Sequence, residues 1–128
     1  ASEKTYAVLA NLAATVLEAG FPVVVDATFL DPAQRTAFRE LGGHFGVPFR
    51  ILWLECDPQV LHERVQGRAR TGADPSDATE AVLERQLARR TPPGVEERPS
   101  VLEMDSTRTP PEVLARQAAN ALGVRERR

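Results

Sequence analysis

Cysteine, lysine and histidine are nearly missing from this chain, and each shortage closes off a class of function. The lone cysteine, Cys56, excludes an intrachain disulfide. With only His44 and His62 beside it, a zinc site of the usual Cys/His kind is not expected. The lone lysine, Lys4, has no glycine before it, so no stretch reads G-x-x-x-x-G-K-[ST]. The pattern of the phosphate-cradling loop is therefore not present in these residues. Gly42-Gly43-His44-Phe45-Gly46 comes nearest in glycine content, but Val47 follows it. No run approaches the ~20 apolar residues that a membrane-spanning helix needs. The first residues show neither a basic leader nor an apolar signal core, so a soluble, cytoplasmic protein is expected. A formal net charge of -2 leaves no basic field for nucleic acid.

What is plentiful is arginine, which supplies nearly all of the 16 basic residues. A guanidinium offers a planar fork to phosphate or carboxylate, although a GC-rich genome yields the same bias without functional meaning. At 128 residues the chain is expected to form one domain over 1–128, with room for a single covered sheet.

The centre of the chain is Phe21-Pro-Val-Val-Val-Asp26-Ala-Thr28-Phe-Leu-Asp-Pro32. Its β-branched run Val23–Val25 predicts a strand buried on both faces, as in a parallel sheet covered by helices. Asp26 stands where the apolar run stops, and Thr28 follows two residues on. Ligands of open α/β sheets lie beyond the carboxyl ends of strands, which makes the pair a candidate site. A plain turn and cap would also account for both residues. Around this strand, Ser2 and Gly20 bracket a first helix, and Asp31-Pro32 opens a second that ends near Gly42-Gly43 or at Gly46. Phe49–Glu55 reads as a second strand, Asp57-Pro58 opens a third helix, and a fourth spans about 77–90. Val101–Asp105 is a third strand, and Pro110-Pro111 starts a last helix that ends at Gly123. Strands separated by helices predict an α/β sandwich with parallel strands.

Two further clusters could carry chemistry. Arg64 and Arg68 lie four apart on one helix face, with Arg70 close by. They could clamp a phosphoryl group or simply form a solvated face paired with acids. The segment from Gly67 to Asp77, poor in apolar side chains, reads as a mobile surface stretch. Asp105-Ser106-Thr107-Arg108 follows the last strand, and it suits either a ligand loop or an ordinary helix entry.

Several stretches together resemble the P-loop kinase-like ATPases. They are Tyr6–Arg35 with its Val-Val-Asp-Ala-Thr-Phe core, Phe49–Glu55, Leu61-His-Glu-Arg64-Val-Gln-Gly-Arg68, and Asp74–Gln86. The nearest likeness is to the ATP-binding modules found with aminoglycoside phosphotransferases; polynucleotide kinases, gluconate kinases and zeta toxins are more distant. The resemblance implies a three-layer α/β sandwich with a parallel sheet, an incomplete P-loop NTPase fold of the kinase type. It implies ATP and Mg²⁺ as cofactors and γ-phosphoryl transfer to an unidentified small-molecule or nucleic-acid-end hydroxyl. By resemblance, Asp26 holds the magnesium hydration shell or orients the acceptor, Thr28 sits beside it, and Arg35 lies near the acceptor. Arg64, Arg68 and Arg70 would be lid arginines, on a lid at about 67–77. Asp105, Ser106 and Thr107 would flank the adenine.

The family's glycine-rich loop and first strand precede everything seen here, so the chain looks like the C-terminal part of such a module, inactive alone. The first strand normally lies between the two that match Val23–Asp26 and Phe49–Glu55. Direct parallel pairing of these two is expected, with a strand from a second copy as the alternative. A homodimer or a fused upstream domain is the expected partner. The rival reading is a non-catalytic α/β module that binds a partner or regulates a fused domain. A phosphatase of the haloacid type would want a second acid where Thr28 stands.

Overall fold

The computed structural model describes residues 2–71 and 80–123, with backbone alone for 68–71. The element order is α1 (Glu3–Glu18), α2 (Pro32–His44), β1 (Ile51–Glu55), α3 (Pro58–Thr71), α4 (Glu80–Arg89), β2 (Val101–Asp105) and α5 (Pro111–Leu122). A short 3-10 turn, Arg98–Ser100, precedes β2. The fold is α/β with a small parallel sheet.

Local chemistry sets the helix ends. The Ser2 hydroxyl accepts the Thr5 N–H at 3.3 Å and caps α1. Gly20 follows that helix with φ +88, a backbone that side-chain-bearing residues rarely adopt. At α2, Asp31 accepts the Ala33 N–H at 2.9 Å while the Gln34 side chain reaches back to the Asp31 N–H, closing a capping box behind Pro32. Asp57 accepts from the Gln59 N–H at 2.9 Å at the start of α3. The expected surface stretch 67–77 begins differently, because α3 continues to Thr71. Gln, Arg and Ala propagate a helix readily, so Gly67 alone does not stop it. Positions 72–77 of that stretch lie outside the described residues.

The chain divides into two compact units. The first comprises 1–49 and 89–93. Its core is Tyr6 and Ala13 from α1 and Phe38 from α2, with Leu9, Val23, Val25, Ala27, Phe29, Leu41 and Phe49 packed on them. Phe29 meets both Tyr6 and Phe38 edge to face, each with ring centroids 5.2 Å apart. The Thr91 N–H donates to the Leu30 carbonyl at 3.0 Å, so the return segment 89–93 is tied in here.

The second unit comprises 50–88 and 94–128. It holds the sheet, in which β1 and β2 run parallel with Ile51 opposite Val101 and Glu55 opposite Asp105. Two parallel neighbours need a long crossover, and α3 and α4 provide it. Trp53, Val65 and Met104 are its buried apolar residues.

The strand expected at Val23–Asp26 is corrected. The sheet among the described residues has two strands, β1 and β2, and residues 23–26 belong to no ladder. Direct pairing of 23–26 with 49–55 is therefore not what the fold adopts. The side chains still follow the two-residue period of a strand. Val23, Val25, Ala27 and Phe29 turn to the core, whereas Val24, Asp26 and Thr28 are exposed. Val24 is 86% exposed, so the expected burial on both faces is corrected to burial on one. No backbone N–H or C=O of Val23–Ala27 finds a hydrogen-bond partner among the described residues. A strand is made by its neighbours, and apolar sequence alone does not supply them.

Candidate functional site

The first site lies in the loop between the 23–27 segment and α2. Three elements fix its shape. Phe29 sits at φ 45, left-handed for a residue with a bulky side chain. Such a conformation persists only where the surroundings hold it. Here the Phe29 N–H donates to the Tyr6 hydroxyl at 3.0 Å, and Arg35 Nη1 donates to the Phe29 carbonyl at 2.7 Å. The ring is clasped between Tyr6 and Phe38. With both polar groups of Phe29 gripped by buried side chains, the chain before it is turned so that Asp26 and Thr28 face outward.

Arg35 is only 2% exposed. In this structure it lies beneath the loop and supports it. Thr28 Oγ1 lies 3.3 Å from the Tyr6 hydroxyl. A single exposed carboxylate with a neighbouring hydroxyl suits Mg²⁺, which keeps most of its waters and takes one or two protein carboxylates alongside phosphate oxygens. No group of three or more His, Cys, Asp or Glu suited to holding a metal occurs among the described residues. Asp26 could thus join a metal only as one ligand among solvent and substrate oxygens.

The second site lies beyond the carboxyl ends of β1 and β2, where bonds within the protein use most of the polar groups. The Ser106 N–H and hydroxyl both donate to the Glu55 carbonyl, at 2.7 and 2.9 Å. The Asp57 N–H donates to Thr107 Oγ1 at 2.7 Å, and the Thr107 N–H to Asp105 Oδ1 at 2.8 Å. Arg64 Nη2 donates to the Ser106 carbonyl at 2.8 Å, and Nη1 points at Cys56 Sγ, 3.5 Å away. Arg64 therefore joins Asp105, Ser106 and Thr107 in one knot that ties the two loops together. Arg68 and Arg70 lie on the same helix backbone as Arg64, and their side chains fall outside the description.

Reasoning from the sequence missed the part that Tyr6 and Phe29 play. Tyr6 carried a usable signal: it is the one tyrosine of the chain, placed on the apolar face of α1, and a buried phenol needs a polar partner.

A parallel two-strand sheet crossed over by helices, with polar residues in the loops that follow the strands, is an α/β arrangement. The family model described as an AAA domain matches residues 1–93, which take in the whole of the first unit, and the chain belongs to that family of P-loop NTPase-like domains. No curated protein and no solved structure matches the chain.

Proposed function

We propose that the chain is part of an ATP-binding, kinase-like protein that transfers the γ-phosphoryl group of ATP to a hydroxyl of a small molecule or a nucleic-acid end. The observation that carries this reading is the outward presentation of Asp26 and Thr28 at the end of a strand-patterned segment, within a chain of the AAA domain family. Mg²⁺, when bound with the nucleotide, supplies charge neutralisation at the phosphates. Asp26 would hold a water of the metal's shell or accept the proton of the acceptor hydroxyl, and Thr28 would hydrogen-bond beside it. Arg35 keeps the loop in shape from within. Arg68 and Arg70 would meet phosphate oxygens, and Arg64 would join them by exchanging its bond to the Ser106 carbonyl. Asp105, Ser106 and Thr107 would line the nucleotide's base with a loop that their mutual bonds already hold.

The phosphate-cradling glycine loop and its lysine would come from polypeptide outside residues 1–128. A fused upstream domain or a second copy would then be the partner that completes the module. A cytoplasmic location belongs to the same proposal. Among the described residues no helix is long and apolar enough to cross a membrane.

Titration calorimetry with Mg-ATP tests the nucleotide reading. Without a lysine loop the chain should bind with a Kd of about 1 mM, about -4 kcal/mol. Micromolar affinity would contradict the need for that loop, and no heat at saturating nucleotide would contradict nucleotide binding itself.

A further inference from the structure

The Tyr6 hydroxyl bears on which way a proton points at the candidate site. Tyr6 is 7% exposed, so little of the side chain meets water. Its oxygen already accepts the Phe29 N–H at 3.0 Å. The one remaining neighbour is Thr28 Oγ1 at 3.3 Å, and no buried side-chain oxygen or nitrogen among the described residues is left without a partner. Taken by itself, the Tyr6–Thr28 contact could run in either direction. The Phe29 amide breaks that symmetry. If Thr28 donated, the tyrosine oxygen would accept twice and its own proton would be left without a protein partner on a largely buried side chain. A stranded buried donor is the costlier arrangement. The balance of hydrogen bonds favours Tyr6 as the donor to Thr28, with the Thr28 proton turned away from the core.

We propose that Tyr6 is a positioning residue that fixes Thr28 as an outward hydrogen-bond donor, so that Asp26 and Thr28 together read an alcohol hydroxyl. This rests on the reading of the loop as the acceptor side of a kinase-like site. Thr28 is exposed and makes no other hydrogen bond among the described residues, so its donor is open to a ligand. Asp26, two residues earlier on the same outward face, is an acceptor when ionised. One donor and one acceptor on the same outward face complement a group that both donates and accepts, which an alcohol does. A fully ionised phosphate oxygen only accepts, and it would face the Asp26 charge. The group read is therefore a neutral hydroxyl.

The test uses the whole chain, without nucleotide, carrying isotope-labelled tyrosine; with one tyrosine present, a single ring signal results. In mixed light and heavy water, a slowly exchanging hydroxyl splits the signal of the ring carbon bearing the oxygen. Splitting is expected in the wild type and in Thr28→Ser, and its collapse in Thr28→Val, where the proton loses its acceptor. Splitting unchanged in Thr28→Val would overturn the donor direction. Glycerol and inorganic phosphate then serve as probes of ligand class. Glycerol should shift the ring signal in the wild type and lose that effect in Asp26→Asn, whereas a larger response to phosphate than to glycerol would overturn the alcohol reading. Tyr6→Phe, followed through threonine signals, should lose the glycerol response, and Thr28→Val decides the question should Tyr6→Phe not fold. None of these readouts needs ATP, so failure of nucleotide binding would leave the proton-direction result standing.

Discussion

Two loops in this molecule share a formula, an acid followed by hydroxyl residues after an apolar run, and the structure treats them in opposite ways. After Val23–Val25, the loop backbone is gripped from beneath by Tyr6 and Arg35, while Asp26 and Thr28 remain exposed. After β2, the hydroxyls of Ser106 and Thr107 are taken up by the Glu55 carbonyl and the Asp57 amide, and Arg64 is drawn in with them. In the first loop buried side chains hold the main chain, and the polar side chains are left exposed. In the second the polar groups themselves do the holding. The same residue types thus stay exposed in one place and fasten loops in the other.

Substitutions can break this contrast, and the largest effect is expected in the core under the first loop. Phe38→Ala removes a ring that backs Phe29 and should destabilise by about 3 kcal/mol in denaturant titration, in the range for truncating a buried aromatic. Arg35→Met keeps the bulk of the stem but withdraws the donor from the Phe29 carbonyl, so a loss of about 2 kcal/mol is expected, partly restored by Arg35→Lys. Arg64→Ala removes bonds at an exposed position. Solvent screening reduces them to about 0.5 kcal/mol in the same measurement, with faster hydrogen exchange at the Ser106 amide as the local sign. Val24→Thr, on the outward face, should change the stability of the isolated chain by less than about 0.5 kcal/mol. An Arg64→Ala effect as large as that of Arg35→Met would erase the contrast between the loops.

Helix boundaries were legible in the sequence because they are written in local chemistry. Ser2, Asp31-Pro32 and Asp57-Pro58 open helices as expected, and Gly20 and Gly123 close them. The two strands that pair were legible too, since apolar runs between helix signals leave little else for 51–55 and 101–105 to be. The state of 23–26 was not, because pairing depends on which backbone lies alongside. A β-branched run says only that the residues suit a strand. Asp26 and Thr28 were visible as candidates from position alone. The support beneath them was not: an arginine within a helix, such as Arg35, reads as surface until tertiary structure buries it. The left-handed Phe29 has no sequence signature, because the strain is imposed by Tyr6, Arg35 and Phe38 together. Arg64 read as one of a pair on a helix face, either a phosphoryl clamp or a solvated surface, and its partner in this structure is the Ser106 carbonyl.

The contrast between the loops is tested most directly by adding Mn²⁺-ATP, as a paramagnetic stand-in for Mg²⁺-ATP, to the isotope-labelled chain and following amide line broadening. Broadening centred on Asp26–Phe29 and abolished in Asp26→Asn is the expected result. Broadening centred on Asp105–Thr107 with the Asp26 loop untouched, or indifferent to Asp26→Asn, would contradict it.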